Sequence, residues 1–385
     1  MIANINESSS SKKFLNKELK FLYLSFFLFA IAFGINLVIF PTNLKNHGAS
    51  PAMIGVASAM ETLGAIITSF FLAKIVNNLG IFKSLKITAF IYSSLTLLLY
   101  FYLGYFYWLL SIFVIGCCWF VYAITRVSWL NILLDDQKRG IGIGIFSMII
   151  SLGVCLGPVI VKIFSADSFN SYLASAIFTI SSMLALIPLK HHKNPIINSK
   201  RISLSDFFKK NPQCFFARFF LDFQSFSLMT FTVIYGVSLG YSFEASGLFI
   251  SAYYASGFFD LIAGIVSKNF KPQKLINFGF FGCIYCFLIL LVYNSSYQFI
   301  MLIYFLFGAF IAFIFVAVYK MMNEDYNKEQ LVSAGATFQL IGTLGSIAGS
   351  LTTGIIFQIF GASGFPATII LGCTIYIAYL LFYEK

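Results

Sequence analysis

The sequence predicts an all-α integral membrane protein with twelve transmembrane helices in two pseudo-symmetric six-helix halves. Three observations predict it. Twelve long apolar stretches are separated by short polar turns, almost every lysine and arginine falls on alternate turns, and the chain repeats itself at an offset of 192 residues. A run of about twenty apolar residues matches the roughly 30 Å hydrocarbon core of a bilayer, and in lipid such a run must be helical to satisfy its own backbone.

Composition agrees. The chain is 59% hydrophobic and 10% charged, with a mean hydropathy of +0.88, whereas a soluble domain carries about a quarter charged residues. So few charges could not cover a water-soluble fold of 385 residues, and 48 phenylalanines suit lipid-facing helices. A net charge of +11 would point to nucleic acid in a soluble chain. Here it reflects the cytoplasmic excess of Lys and Arg that orients membrane helices, so no nucleic-acid partner is expected.

In order, the expected spans are 21–40, 51–73, 87–103, 106–133, 141–163, 172–189, 215–239, 247–266, 275–293, 298–318, 332–359 and 365–382. The polar stretch 1–20 is a cytoplasmic tail, and the long apolar run after it favours a retained first helix over a cleaved signal peptide. With the N-terminus inside, all but four of the 25 basic residues fall on the cytoplasmic side; Lys45 and Lys162 fall outside, and Arg126 and Arg218 lie within spans. Both termini are therefore expected in the cytoplasm, and a bacterial inner membrane is the natural home. The longest connection, 190–213, is basic and divides the chain into halves 21–189 and 214–385.

The repeat supports that division. A shift of 192 carries Phe146, Gly153 and Gly157 of the fifth span onto Phe338, Gly345 and Gly349 of the eleventh. The same shift puts Gly55 on Gly247 and Gly116 on Gly308. Glycines permit close helix approach, so shared glycine positions imply a shared packing plan. The seven cysteines all lie in or beside apolar segments, Cys283 and Cys286 included, and read as small residues packed between helices.

Twelve helices, two similar halves and a central basic loop resemble the major facilitator superfamily of secondary transporters. Gly153-Val-Cys-Leu-Gly157-Pro158 is similar to the G-x-x-x-G-P signature of that superfamily's antiporters. The turn after the second span resembles the superfamily's G-x-x-x-D-R-x-G-R-R in degraded form: Gly80 and Lys83 keep the pattern, while Asn77 stands where an acid is usual and Asn78 where a base is usual. The arginine that drug exporters place four residues before a glycine is absent, Ile112 preceding Gly116 at that spacing. The resemblance implies a midplane substrate cavity lined mainly by helices 1, 4, 7 and 10, with transport as the halves rock about it.

Five ionisable residues lie inside spans: Glu61, Arg126, Arg218, Asp222 and Asp260. Each costs about 2.5–3.5 kcal/mol on insertion scales, so each needs a partner, a water-filled cavity or a proton. Glu61 lies about 15 Å deep at about 1.5 Å per residue, with no base at that depth. It is the first candidate to load and release a proton, against a structural reading as a protonated glutamate on a gate helix, and its repeat-related position carries Tyr253. Asp222 and Asp260 are further proton-coupling candidates. Arg218 and Asp222, at i and i+4, share a helix face. Either Arg126 pairs with Asp222 when the inner gate closes, or Arg126 holds an anionic substrate group, or Arg218 keeps Asp222 in a local pair. Uncharged cavity candidates are Asn36, Tyr122, Gln224 and Gln339. Trp119 and Trp129 are read as packing or interfacial anchors, and Pro158 as a bend in a gate helix.

These readings converge on a secondary transporter of a small organic solute, proton-coupled, with efflux by antiport favoured over uptake by symport. No Walker G-x-x-x-x-G-K-[ST] occurs, so direct ATP use is not expected. The three histidines, His47, His191 and His192, lie in loops and no catalytic or metal-binding cluster exists, which argues against a membrane enzyme. A sensor that keeps the fold without transport is the third reading. No cofactor or metal is expected; the partners are substrate, protons and lipid, and the chain is expected to be monomeric.

Overall fold

The computed structural model describes residues 17–134, 139–189, 202–326 and 330–383. Most of the expected tail and the 190–201 part of the basic linker lie outside them. The first half comprises α1 (Lys17–Asn46), α2 (Pro51–Leu79), α3 (Ile81–Leu99), α4 (Tyr105–Leu133), α5 (Arg139–Phe164) and α6 (Phe169–Leu184). A short α7 (Leu204–Lys210) precedes the second half. That half holds α8 (Pro212–Ser238), α9 (Phe243–Ala255), α10 (Phe259–Val266), α11 (Pro272–Val292), α12 (Tyr297–Asp325), α13 (Leu331–Phe360) and α14 (Gly364–Tyr383).

Eleven apolar runs among the described residues can cross a membrane, and the last, Ser333–Phe382, contains both α13 and α14. With α9 and α10 forming one crossing interrupted by a turn at Ser256–Phe258, the count is twelve, as the sequence predicts. Local chemistry sets the boundaries. Ser50 caps α2 by accepting from the Met53 amide at 3.3 Å, with Pro51 in the first turn. Asn211 and Pro212 start α8 in the same way, Asn211 Oδ1 accepting from the Cys214 amide at 2.8 Å. Gly80 ends α2 at φ +77° and lets α3 begin at once, which is why α3 starts six residues before the expected span.

The two halves repeat each other's packing in detail. In the first, α1 lies along α5 and α2 along α4; in the second, α8 lies along α13 and α9 along α12. Gly153 packs on the Phe27 carbonyl of α1, and its repeat partner Gly345 packs on the Phe219 carbonyl of α8. Gly116 of α4 abuts the carbonyl of Glu61, and Gly308 of α12 abuts that of Tyr253. Phe27 and Phe219, like Glu61 and Tyr253, are themselves one repeat apart.

The halves meet where α2 crosses α13, α5 crosses α9 and α1 crosses α8. Gly55 packs on Ser350, and Gly247 on Val38 and Pro158, so these crossings also obey the repeat. A polar clasp closes the end of the bundle opposite the termini. Glu244 accepts from Ser165 Oγ and the Ala166 amide at 2.9 Å each, and Gln358 Oε1 accepts from the Ala52 amide at 3.4 Å.

Candidate functional site: a cavity between the halves

Between the halves lies a cavity of about 160 Å³. Its walls come from α1, α2, α4, α8 and α13, with Tyr92 contributed by α3. The expected lining by helices 1, 4, 7 and 10 therefore needs correcting: the second and eleventh crossings stand in the wall, and none of the lining residues comes from the tenth. The reason is the α2–α13 crossing, which brings both helices to the centre of the interface.

Glu61 is on this wall. It is partly exposed, and among the described residues it has neither a hydrogen bond nor an ion pair. One turn before it, Ser58 Oγ lies 2.8 Å from Thr230 Oγ1 and 3.2 Å from Ser350 Oγ, so the acid sits beside a hydroxyl contact that joins the halves. Thr230 lines the cavity as well. On the other side Asn36 donates to the Tyr92 hydroxyl at 2.8 Å and accepts from Ser175 Oγ at 2.7 Å, an arrangement that fixes the amide and leaves the Tyr92 proton available.

Asp222 lines the same cavity, so the structure brings two of the three proton-coupling candidates together. Its Oδ2 lies 2.7 Å from Arg218 Nη2, and Arg218 is only 4% exposed. Arg218 also donates to Gln339 Oε1 at 3.4 Å and stacks over Phe338 at 4.8 Å. Gly342 makes room for the pair, which packs against its α-carbon. Gln339 stands on the cavity wall as expected.

Other candidates lie elsewhere. Arg126 does not meet Asp222: Arg218 has taken that partner, and Arg126 is turned into its own half. Its Nη1 donates to the Ser25 carbonyl at 3.0 Å and its Nε to the Tyr122 carbonyl at 3.1 Å. The rings of Phe26, Phe29 and Tyr122 surround the guanidinium at 4.6, 4.7 and 4.1 Å. Cation–π contact and carbonyl acceptors thus take the place of a carboxylate. Tyr122 is buried against Ser182, its hydroxyl 2.6 Å from Ser182 Oγ, and neither Tyr122 nor Arg126 is among the lining residues. Gln224 follows Asp222 by two residues, about 200° round the helix, and is wholly buried away from the cavity. Asp260 accepts from Ser147 Oγ at 2.7 Å, linking α10 to α5 across the halves but outside the lining.

The glycines of the fifth and eleventh spans are packing positions. Gly153 and Gly157 seat α5 on Ala30 and Gly34 of α1, and Gly345 and Gly349 seat α13 on α8. In the α2–α3 turn Asn77 and Lys83 are exposed around Gly80. The sequence reading missed Ser58, Thr230 and Tyr92, since isolated hydroxyls on apolar helices are too common to single out. It also misassigned Trp119, which is on the cavity wall with Phe33 at 6.4 Å between ring centres; Trp129 is buried packing as expected.

The solved structure of the nucleoside transporter NupG superposes with a TM-score of 0.76 at 14% identity, over 96% of this chain and 98% of that one. A bacterial homologue of the human lysosomal transporter Spinster, inward-facing and occupied, gives 0.73 at 14% identity over 95% of each chain. A POT family transporter in complex with 5-aminolevulinic acid gives 0.75 at 14% identity, over 95% of this chain and 96% of that one. No curated protein matches the sequence. The sequence profile of the Major Facilitator Superfamily matches residues 22–350 and 214–385. The chain is a multi-pass membrane transporter, not an enzyme, and it belongs to the Major Facilitator Superfamily.

Proposed function

We propose that the chain moves a small organic solute across the membrane by alternating access, coupled to protons through Glu61, with efflux by antiport as the favoured direction. The observation that carries this reading is the position of Glu61: a carboxyl without a partner among the described residues, on the wall of the inter-half cavity and one turn from the Ser58 contact to α8 and α13. A charged carboxylate there needs water or a counter-cation, so it favours the arrangement in which the cavity is wet. A neutral carboxyl tolerates closure of the walls around it. Protonation thus has a different free energy in the two arrangements, which is the condition for a proton to bias the exchange. Asp222, paired with Arg218 on the same cavity wall, is the second titrating candidate.

On this reading the termini are cytoplasmic, as the Lys and Arg pattern supports, the Glu244 clasp lies on the outer face of an inward-facing arrangement, and the protein acts as a monomer in a bacterial inner membrane. The halves are then 21–189 and 214–385, joined by the basic linker. Efflux is supported by the Gly153–Pro158 signature, and the small ligands named for the neighbouring transporters, a nucleoside and 5-aminolevulinic acid, suit a small organic solute.

Proteoliposomes enclosing a pH dye test the reading, with solute mixtures added outside wild type and Glu61→Gln. Solute-dependent proton movement that vanishes in Glu61→Gln is expected, and the sign of the pH change separates antiport from the alternative, uptake by symport. Movement that survives the substitution would remove Glu61 from the coupling step.

A further inference from the structure

The charge and ring content of the cavity define a ligand class. Its lining residues include two acids, Glu61 and Asp222, and no Lys, Arg or His. Asp222 is neutralised by Arg218 at 2.7 Å, whereas Glu61 is unpartnered among the described residues. The one residue whose charge would have favoured an anion, Arg126, is enclosed by three rings and two carbonyls of its own half. The cavity therefore carries one uncompensated negative charge when Glu61 is ionised.

Around that charge the walls are aromatic. Phe33, Tyr92, Trp108, Trp119 and Phe226 all line the cavity, and a cation over such faces is attracted by the ring quadrupole, more strongly the more it is desolvated. A bare metal ion is a poor match for the same walls. It would need several oxygen ligands, yet Ser58 Oγ is engaged with Thr230 and Ser350, and Asn36 Oδ1 with Ser175. Among the described residues no group of three or more His, Cys, Asp or Glu could hold a metal.

We infer that the transported solute is an organic monocation carrying an aromatic or similarly apolar body, its charge held by Glu61 and its body by the surrounding rings. The inference rests on the transporter reading of this cavity. It also gives the proton its reciprocal role, because proton and cation then compete for one carboxylate and exchange follows from mutual exclusion.

Equilibrium binding tests the ligand class without requiring flux, so a failure of proton-driven transport and a failure of this inference are separate results. The full chain in lipid nanodiscs is titrated with phenyltrimethylammonium, its neutral isostere tert-butylbenzene and the anion benzenesulfonate, with uptake by empty discs subtracted. Two of the three tryptophans, Trp108 and Trp119, line the cavity, so intrinsic fluorescence reports occupancy. The expected result is saturable binding of the cation at least tenfold tighter than either of the other probes. Glu61→Gln should lose at least tenfold in cation affinity and Glu61→Asp should retain most of it, both with the thermal unfolding of wild type. Equal or tighter binding of benzenesulfonate or tert-butylbenzene, an unchanged cation affinity in folded Glu61→Gln, or no cation binding to folded wild type would each overturn the inference.

Discussion

Separating Arg218 from Asp222 should reveal an asymmetry that the geometry fixes in advance. The pair is close, 2.7 Å between Nη2 and Oδ2, and unequally sheltered: Arg218 is 4% exposed, Asp222 16%. Removing one partner of a buried pair typically costs about 3–5 kcal/mol, because the other charge is left uncompensated. Asp222→Leu leaves a guanidinium that cannot shed its proton, with Gln339 and the rings of Phe338 and Tyr319 beside it, so a loss of about 3 kcal/mol or more is expected. Arg218→Met leaves a carboxyl that faces the cavity and can take up a proton, so its loss should be about half as large. Arg218→Met combined with Asp222→Leu removes both charges at similar volume and should return to within about 1 kcal/mol of wild type. Reversible unfolding of the four proteins in mixed micelles measures the cycle. The reasoning fails if Asp222→Leu costs less than about 1 kcal/mol, or if Arg218→Met proves the more costly change.

Three further outcomes follow from other parts of the molecule. Gly116→Ala should destabilise by about 1–3 kcal/mol, since the new methyl meets the Glu61 carbonyl rather than a side chain that could turn away; unfolding measurements that leave Gly116→Ala equal to wild type would contradict the close α2–α4 crossing. Arg126→Met should stay within about 1 kcal/mol of wild type and keep solute binding, because no carboxylate is stranded, whereas Arg126→Lys should be worse than Met. A folded Arg126→Met without binding would return that arginine to the site. In the loop after α5, burial first and the Glu244 charge second push the Asp167 carboxyl above its usual range, against the Asn46 amide. With the folded value raised, the charged form carries a small penalty that is complete above the folded value and fades as the pH falls toward the ordinary carboxylate value. Asp167→Asn should therefore raise thermal stability slightly at pH 7 and flatten its acid dependence, an effect kept small by the residue's exposure.

Much of the architecture is legible in the chain because membrane helices answer to two strong one-dimensional signals, apolar length and basic alternation. The 192-residue repeat added the third dimension, and its glycines mark real crossings: Gly153 with Gly345 and Gly116 with Gly308 make equivalent contacts. The site was less legible. Glu61 could be singled out because its depth was readable from helix length, and Asp222 because it is a charge inside a span; the structure places both on the cavity wall. Arg126 could not be placed from sequence, since whether a long side chain faces the cavity or its own half depends on rotation about α4 and on rings from α1. Gln224 failed for the same reason, two residues of rotation separating it from the wall. Trp119 was hidden by abundance, one ring among 19% aromatic residues.

Gly116 meets only the main chain of Glu61, whereas Gly308 meets the Tyr253 carbonyl together with the Ser256 hydroxyl and the edge of the Tyr253 ring. Helix spacing at the first of these places is consequently indifferent to which side chain the crossing residue bears. After a duplication, selection could rewrite the side chain in one copy and not the other while the scaffold stayed in register. An acid in one half and a phenol in the other is the outcome such freedom allows. For the engineer the same separation means that the proton-binding group at position 61 can be exchanged without disturbing the Gly116 crossing that carries it.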